Sequence, residues 1–484
     1  MGDLAHKIFH LLVTQLPIYE PFLLASSPKS LYAFGKTCKS ARECVQQYFH
    51  TAFDINAHLG IFLPDPLAFR NMQTKTGAVI SGSNVVQFFD RTYYHDADLD
   101  IYVNPGHCRA VGAHMVKVQG YRVVEQEEDN SKTTLDVDGS IEHVKAMAST
   151  AANHARETRY SHRSIHVVCW LERVTANGIT QRAQVILTAD CVFHAIMNFH
   201  STCVMNIITY DRAVSLYPLA TFEHRTNRKM LRPNASATTT RHIDNALAKY
   251  KHRGFPVSIS SDDEENSILF QFGTDRQVGD KWCWTVRLDM EGVAQRRWLE
   301  REEWRFQHRR GDNIDASRSP QDPIFENKWR VSGAVYQLAM KYCLVRVGVF
   351  RYGYTVASEL QARAIRMFSE DIQSVRRRGI DVGRKWFDDN VARISAGAIQ
   401  VIVDDTIVGQ SDRAVERDAD KDGEDGEEDV SGVSISQLEG PSFPLKVTDY
   451  VDGDVLDTAF QRYRKSFERE EAVGRAILAA QGSA

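Results

Sequence analysis

The sequence has no apolar run that approaches the roughly 20 residues needed to cross a bilayer. Its FHLLV run near the N-terminus is too short and too interrupted to be read as a secretory signal. Gly2 follows the initiator methionine, but His6 stands where a myristoylation signal requires Ser or Thr. We therefore expect a soluble protein with no membrane partner.

Cysteine spacing and net charge also exclude several classes of protein. The eight cysteines include no Cys-X-X-Cys pair, and a disulfide framework is not expected in a chain of 484 residues. A net charge of -4 gives no whole-chain reason to expect nucleic-acid binding. Reduced thiols and a cytoplasmic or nuclear location are the expectation.

A compact polar motif lies between residues 77 and 103. An apolar run ends at Gly82 and Ser83, the amphipathic segment Asn84–Phe89 follows, and a second apolar run carries Asp98 and Asp100. Glycine lets the backbone approach a ligand closely. A serine just before a helix caps it and leaves free N–H groups facing an anion. Gly82 and Ser83 are therefore predicted to bind a nucleotide phosphate.

Asp98 and Asp100 are predicted to share one face of a strand. Alternate residues of a strand point to the same side, so these carboxylates lie roughly 6.5 Å apart along the backbone. Two neighbouring carboxylates repel each other unless a cation lies between them. Magnesium prefers oxygen ligands and is commonly shared between one or two carboxylates and substrate phosphates. We therefore expect Asp98 and Asp100 to be catalytic residues that bind Mg²⁺ or Mn²⁺.

This motif resembles the core of the nucleotidyltransferase superfamily that includes polymerase β and the CCA-adding and aminoglycoside-modifying enzymes. In that superfamily a hydrophobic strand, Gly-Ser, a short helix and Asp-hydrophobic-Asp follow one another. The matching residues here are Val79-Ile80, Gly82-Ser83 and Asp98-Leu99-Asp100. The resemblance implies an α+β fold with a polymerase β-type core, in which a mixed sheet is packed with helices. It also implies metal-dependent transfer of a nucleoside monophosphate from an NTP onto a hydroxyl.

The chain also resembles a large family of fungal proteins. The resemblance covers about the first half of the chain, to roughly Phe222, and continues weakly through Lys249–Phe255. It supports the same fold.

The superfamily resemblance further implies a third carboxylate on a later strand. Ala183–Leu187 is predicted to be that strand, and it has Gln184 where the family has an acid. An amide offers one neutral oxygen to a cation but cannot act as a base. Asp190, Asp136 and Asp138 are alternative sources of a carboxylate, although each is more simply a turn or loop residue. Transfer activity is therefore expected to be weakened.

A third resemblance concerns the N-terminal region, residues 1–52. This region is predicted to be helical because its apolar residues recur at helical spacing. Ser27–Val45 resembles the second half of an F-box, which implies binding to a ubiquitin-ligase scaffold. The first half departs from the F-box pattern. The alternative interpretation is a helical lid or brace for the nucleotidyltransferase core.

The remaining segments complete a multi-domain chain. After a connector at residues 53–76, we expect the core at 77–222 and a C-terminal α+β accessory domain at 223–403. Residues 404–440 are acidic and poor in large apolar side chains, which predicts a disordered linker. Residues 441–484 are predicted to form a helical tail.

Three functions follow from these patterns. The leading one is a magnesium-dependent nucleotidyltransferase acting on an NTP, with RNA, protein or a small molecule as the acceptor. The second is a catalytically inactive, nucleotide-binding relative, and the third is an F-box-like adaptor.

Overall fold

The computed structural model describes residues 16–124, 164–232, 235–258, 268–294, 322–334, 337–378, 386–388, 391 and 394. Asp136, Asp138, the predicted acidic linker at 404–440 and the predicted tail at 441–484 lie outside the described residues. The chain forms two compact units. The first extends to Arg346 and includes Tyr352–Ala357, whereas the second comprises Val347–Arg351 and the residues from Ser358 onward.

Helices of the first unit begin where the sequence supplies caps. Asp54 accepts hydrogen bonds from the backbone N–H groups of Asn56 and Ala57, and the Ser236 hydroxyl accepts one from Thr239. The described helices are Leu16–Ala25, Pro28–Gly35, Lys39–Ala52, Ile55–Gly60, Pro66–Thr76, Ser83–Asp90, Cys108–Lys117, Val192–Met197 and Ala237–His252, with shorter turns at Thr202–Val204, Leu219–Glu223 and Pro323–Glu326. In the second unit, Glu359–Arg377 is helical. Among all the described residues of both units, no helix combines the length and the apolar content needed to span a bilayer.

The strands of the first unit form one large sheet and two small ones. They are β1 Val79–Ser81, β2 Leu99–Val103, β3 Arg122–Val123, β4 Ile165–Val174, β5 Thr180–Thr188, β6 Asn206–Ile208, β7 Arg212–Ser215, β8 Lys229–Met230, β9 Asp275–Gln277, β10 Trp284–Arg287, β11 Lys328–Ala334, β12 Gln337–Lys341, β13 Cys343–Val345 and β14 Tyr354–Val356. The large sheet has the order β10-β7-β6-β1-β2-β5-β4-β3. Among its described strands, only β2 and β5 are parallel neighbours, so the sheet is mixed. The predicted α+β class with a large mixed sheet is confirmed.

Alternate residues of the central strands pack into different hydrophobic clusters. On β2, Leu99, Ile101 and Val103 belong to one cluster, whereas Tyr102 belongs to the other. Ile186 of β5 joins the Tyr102 cluster. The sheet is therefore covered on both faces, and even-numbered positions of β2 share the face that carries Asp100.

One expected helix boundary was wrong. The sequence pattern favours a single helix over residues 354–378, but Tyr354–Val356 is a strand paired with β13, and the helix begins at Glu359. The aromatic and β-branched residues of this segment are buried, which favours a strand.

The described part of the N-terminal region, residues 16–52, forms helices that are bound to the core. The Arg91 guanidinium donates to the carbonyl oxygens of Leu23 (3.0 Å) and Ser26 (2.9 Å) and to the Tyr48 hydroxyl (3.0 Å). Trp284 of β10 donates to the Tyr32 hydroxyl at 3.2 Å. These contacts fit the brace interpretation, and binding of a ligase scaffold stays a prediction.

We expect Arg91→Ala to lower the free energy of unfolding by about 2–3 kcal/mol, because it removes three hydrogen bonds that a charged guanidinium donates to partly buried acceptors. Urea unfolding measures this loss, and limited proteolysis shows whether residues 16–52 become the first segment cleaved. Arg42→Ala, at an exposed arginine of the same helices, is the control and should change stability by less than about 0.5 kcal/mol. Equal effects of the two substitutions would contradict the brace.

Candidate metal and phosphate site

The sheet register brings the predicted site residues together. Ser81 of β1 pairs with Asp100 of β2, and Asp100 pairs with Gln184 of β5. Residues paired across adjacent strands point to the same face. Asp100 and Gln184 therefore face the same side of the sheet, directly beyond the end of β1.

Gly82 turns the chain from β1 into the helix Ser83–Asp90. Its φ of 73° and ψ of -147° lie in a region that is essentially restricted to glycine. A Cβ atom at residue 82 would lie 2.5 Å from Asp100 Oδ2. Residue 82 must therefore be glycine for two reasons: its backbone conformation is restricted to glycine, and a side chain would collide with Asp100.

Ser83 is the first residue of this helix, not its cap. Gly82 occupies the N-cap and provides no side-chain hydrogen bond, so the predicted capping role of Ser83 was wrong. The first turn of a helix leaves backbone N–H groups without helical partners. Without a side-chain cap, these groups remain suited to a ligand anion next to Asp100.

Both carboxylates have a raised proton affinity. Burial raises the pKa of Asp100 to about 7, and the negative charge of Asp98 adds to the shift. Burial also raises the pKa of Asp98, while a hydrogen bond from Gln184 opposes this change. A divalent cation between the two groups would relieve this electrostatic cost.

Gln184 is buried and contacts the carboxylate pair directly. Its Nε2 atom donates to Asp98 Oδ2 at 3.1 Å. In the described ranges, no three His, Cys, Asp or Glu side chains are close enough to hold one metal ion. The residues present still suit magnesium, since two carboxylates and substrate oxygens are a usual ligand set for it.

Asp190 is not brought to the carboxylate pair. It follows the end of β5, and its Oδ2 lies 3.3 Å from His194 Nδ1. It does not line the cleft described next. Asp136 and Asp138, the other two alternative sources of the third carboxylate, lie outside the described residues.

The predicted residues lie in one open cleft of about 720 Å³. Gly82, Ser83, Asp98, Asp100 and Gln184 line it, as do residues of β4 and of the helix Ala237–His252. A volume of this size is typical of small-molecule and cofactor sites. The cleft therefore has room for a nucleotide.

Several residues of this cleft were missed by sequence reasoning: Asp96, Trp170, Arg232 and Lys249. Asp96 had a signal, because Asp96, Asp98 and Asp100 alternate along the chain. Its carboxylate accepts a hydrogen bond from Arg253 at 2.5 Å. Lys249 and Arg232 had no local signal, because they are distant in sequence from the carboxylates and are brought to the cleft only by the fold.

Lys249 supplies a positive charge opposite the acids. Partial burial and then Arg253 lower its pKa, whereas Asp96, Asp100 and Asp98 act in the opposite direction. Its ammonium group is therefore within electrostatic reach of both predicted metal ligands. The cleft combines acidic and basic groups, as a site for a metal and an anionic ligand requires.

In comparisons with known proteins, no family model, no curated protein and no solved structure matches this chain.

We expect Gly82→Ala to destabilise the protein and to weaken any binding in the cleft, because a methyl group there collides with Asp100 and strains the backbone. The expected loss of stability is about 1–3 kcal/mol. Thermal unfolding measures it. Gly178→Ala is the control, since Gly178 also has a positive φ but has no atom within 4 Å of the added methyl position. Equal losses would show that the Asp100 contact adds nothing.

Stability without metal should depend on pH through Asp100. Its pKa is about 7 in the folded protein and about 3.9 in the unfolded chain. Between these values the folded state binds more protons, so the contribution of Asp100 to stability is present at low pH and is lost as the pH rises to 7. In EDTA, Asp100→Asn should therefore gain stability relative to wild type between pH 5 and pH 8.

Urea unfolding at several pH values tests this expectation. Asp244→Asn, at an exposed carboxylate of the helix Ala237–His252, is the control and should keep the wild-type pH dependence. A constant difference between Asp100→Asn and wild type over this range would show that Asp100 has an ordinary pKa.

Proposed function

We propose that this protein is a magnesium-dependent nucleotidyltransferase with a polymerase β-type core, which transfers a nucleoside monophosphate from an NTP onto a hydroxyl acceptor. One observation carries the proposal. The Gly82 backbone lies against the Asp100 carboxylate, at the start of a helix without a side-chain cap. A phosphate bound there would adjoin the two carboxylates.

Each group then has a defined task. Gly82, Ser83 and the first N–H groups of the helix would hold the triphosphate. Asp98 and Asp100 would hold Mg²⁺ or Mn²⁺. When bound, the metal supplies charge neutralisation at the phosphates. Lys249, which also lines the cleft, would add positive charge within electrostatic reach of both carboxylates.

Gln184 limits the chemistry that these residues can perform. It occupies the register position beside Asp100, but an amide neither neutralises a second cation nor accepts a proton from the acceptor hydroxyl. It orients Asp98 through their 3.1 Å hydrogen bond. Slow turnover is therefore expected. Because the residue that contacts Asp98 is an amide and not an acid, the site also favours a second candidate, a nucleotide-binding protein without transferase activity.

The deciding experiment measures magnesium-dependent binding and turnover of radiolabelled ATP, GTP, CTP and UTP. We expect wild-type protein to bind an NTP and to release pyrophosphate slowly. Asp98→Asn combined with Asp100→Asn should abolish both metal-dependent binding and turnover. Gln184→Glu restores a carboxylate and should raise turnover at least about tenfold, if the missing acid limits proton transfer.

Binding without turnover in wild type and in Gln184→Glu would favour the inactive, nucleotide-binding protein. Absence of any metal-dependent NTP binding would overturn both candidates. Thermal unfolding of each variant separates loss of function from loss of fold.

A further inference from the structure

Arg232 is a half-buried guanidinium on the wall of the cleft. It donates to the carbonyl oxygen of Asn198. Among the residues that the structure describes, no carboxylate forms a hydrogen bond or an ion pair with Arg232. Its pKa is lowered to about 10, and burial is the sole cause. The charge is therefore partly desolvated without a neighbouring negative charge.

A titratable neighbour, His200, offers no compensation. It lines the same cleft, and its Nδ1 lies 2.7 Å from the Ser201 hydroxyl. Burial, and then the charges of Arg232 and Lys249, lower the pKa of His200 to about 3. The imidazole is consequently neutral at physiological pH.

Among the described residues, Arg232 forms no hydrogen bond or ion pair with Asp98 or Asp100, and its guanidinium donates to the Asn198 carbonyl oxygen instead. Lys249 is among the charges that lower the pKa of Asp98 and of Asp100, and Arg232 is not. Arg232 does act on His200. Its charge is therefore not used to balance the acidic groups at the end of β1.

A guanidinium keeps its charge in proteins, and partial removal from water is costly unless an anion faces it. Phosphate suits this task because the guanidinium fork can donate two parallel hydrogen bonds to it. We propose that Arg232 forms an anion subsite, separate from the carboxylate pair, that binds a phosphate group of a ligand in the cleft. The choice of phosphate over another anion rests on the proposed function.

The phosphate has two sources: the triphosphate of the NTP and the backbone of a polynucleotide acceptor. In either case Arg232 acts without a metal. This independence separates the subsite from the proposed transferase activity, which requires Asp98 and Asp100.

The first test uses tripolyphosphate in EDTA, with binding measured by calorimetry. Arg232→Gln should weaken binding at least about tenfold, the loss expected for a charge-assisted hydrogen bond. Arg182→Gln removes the same charge from an exposed arginine that also lines the cleft, and it should weaken binding less than threefold. Asp98→Asn with Asp100→Asn should not weaken metal-free binding.

Arg232→Lys is a second variant in case Arg232→Gln does not fold. Lysine keeps the positive charge but lacks the planar guanidinium that donates two parallel hydrogen bonds. It should remain folded and bind tripolyphosphate more weakly than wild type, and the ligand should raise its melting temperature by less. Loss of turnover in the aspartate variant with intact tripolyphosphate binding would separate the two proposals. Equal effects of Arg232→Gln and Arg182→Gln would overturn the subsite, because the loss would then reflect only the general potential of the cleft.

A second measurement identifies the source of the phosphate. Binding of Mg²⁺-ATP and of a single-stranded RNA pentanucleotide is compared between wild type and Arg232→Gln. A selective loss of RNA affinity assigns the subsite to the acceptor, and a selective loss of ATP affinity assigns it to the triphosphate. Unchanged affinity for both ligands and for tripolyphosphate would overturn the proposal.

Discussion

The close approach of the Gly82 backbone to the Asp100 carboxylate sets the geometry of the cleft. The first residue after β1 must turn with a positive φ, and a side chain there would enter the space of Asp100 Oδ2. The helix Ser83–Asp90 can therefore begin directly beside the carboxylates. Because β1 and β2 are adjacent strands, this arrangement is held by backbone hydrogen bonds and does not depend on a flexible side chain.

Packing of the same helix extends this constraint to the rest of the first unit. Val85, Phe88 and Phe89 are buried, and Phe89 lies 4.8 Å from Trp284 between ring centroids. At the end of the helix, Arg91 binds the N-terminal helices. A change in the position of these helices would consequently move the helix Ser83–Asp90, whose first residues lie beside Asp100.

The sequence was informative where the chemistry is local. The proximity of Gly82 and Asp100 could be predicted because strand, turn and helix follow one another within a short segment, whereas the position of Gln184 on a strand beside Asp100 was expected only from the superfamily resemblance. Asp96 was missed although it continues the alternation. The presence of Arg232 and Lys249 in the cleft could not be predicted, since it depends on how distant segments of the chain pack together. The prediction that Ser83 caps the helix was wrong, because the tight turn places Gly82 at the N-cap position and Ser83 in the first turn.

The charges of the cleft limit the ligands that it can hold. A metal alone would neutralise Asp98 and Asp100 but would leave Arg232 uncompensated, whereas a simple anion would face the repulsion of the carboxylates. A metal-bound polyphosphate, the ligand of the proposed function, would satisfy both sides, because the cation would face the acids and the remaining phosphate charge would face the bases. Gln87 helps to hold the helix Ser83–Asp90 in place, since its amide donates to the Ser83 carbonyl oxygen and accepts from the Tyr94 N–H. It thereby links this helix to the loop that leads to Asp98, so that both halves of such a ligand would meet a fixed arrangement of charge.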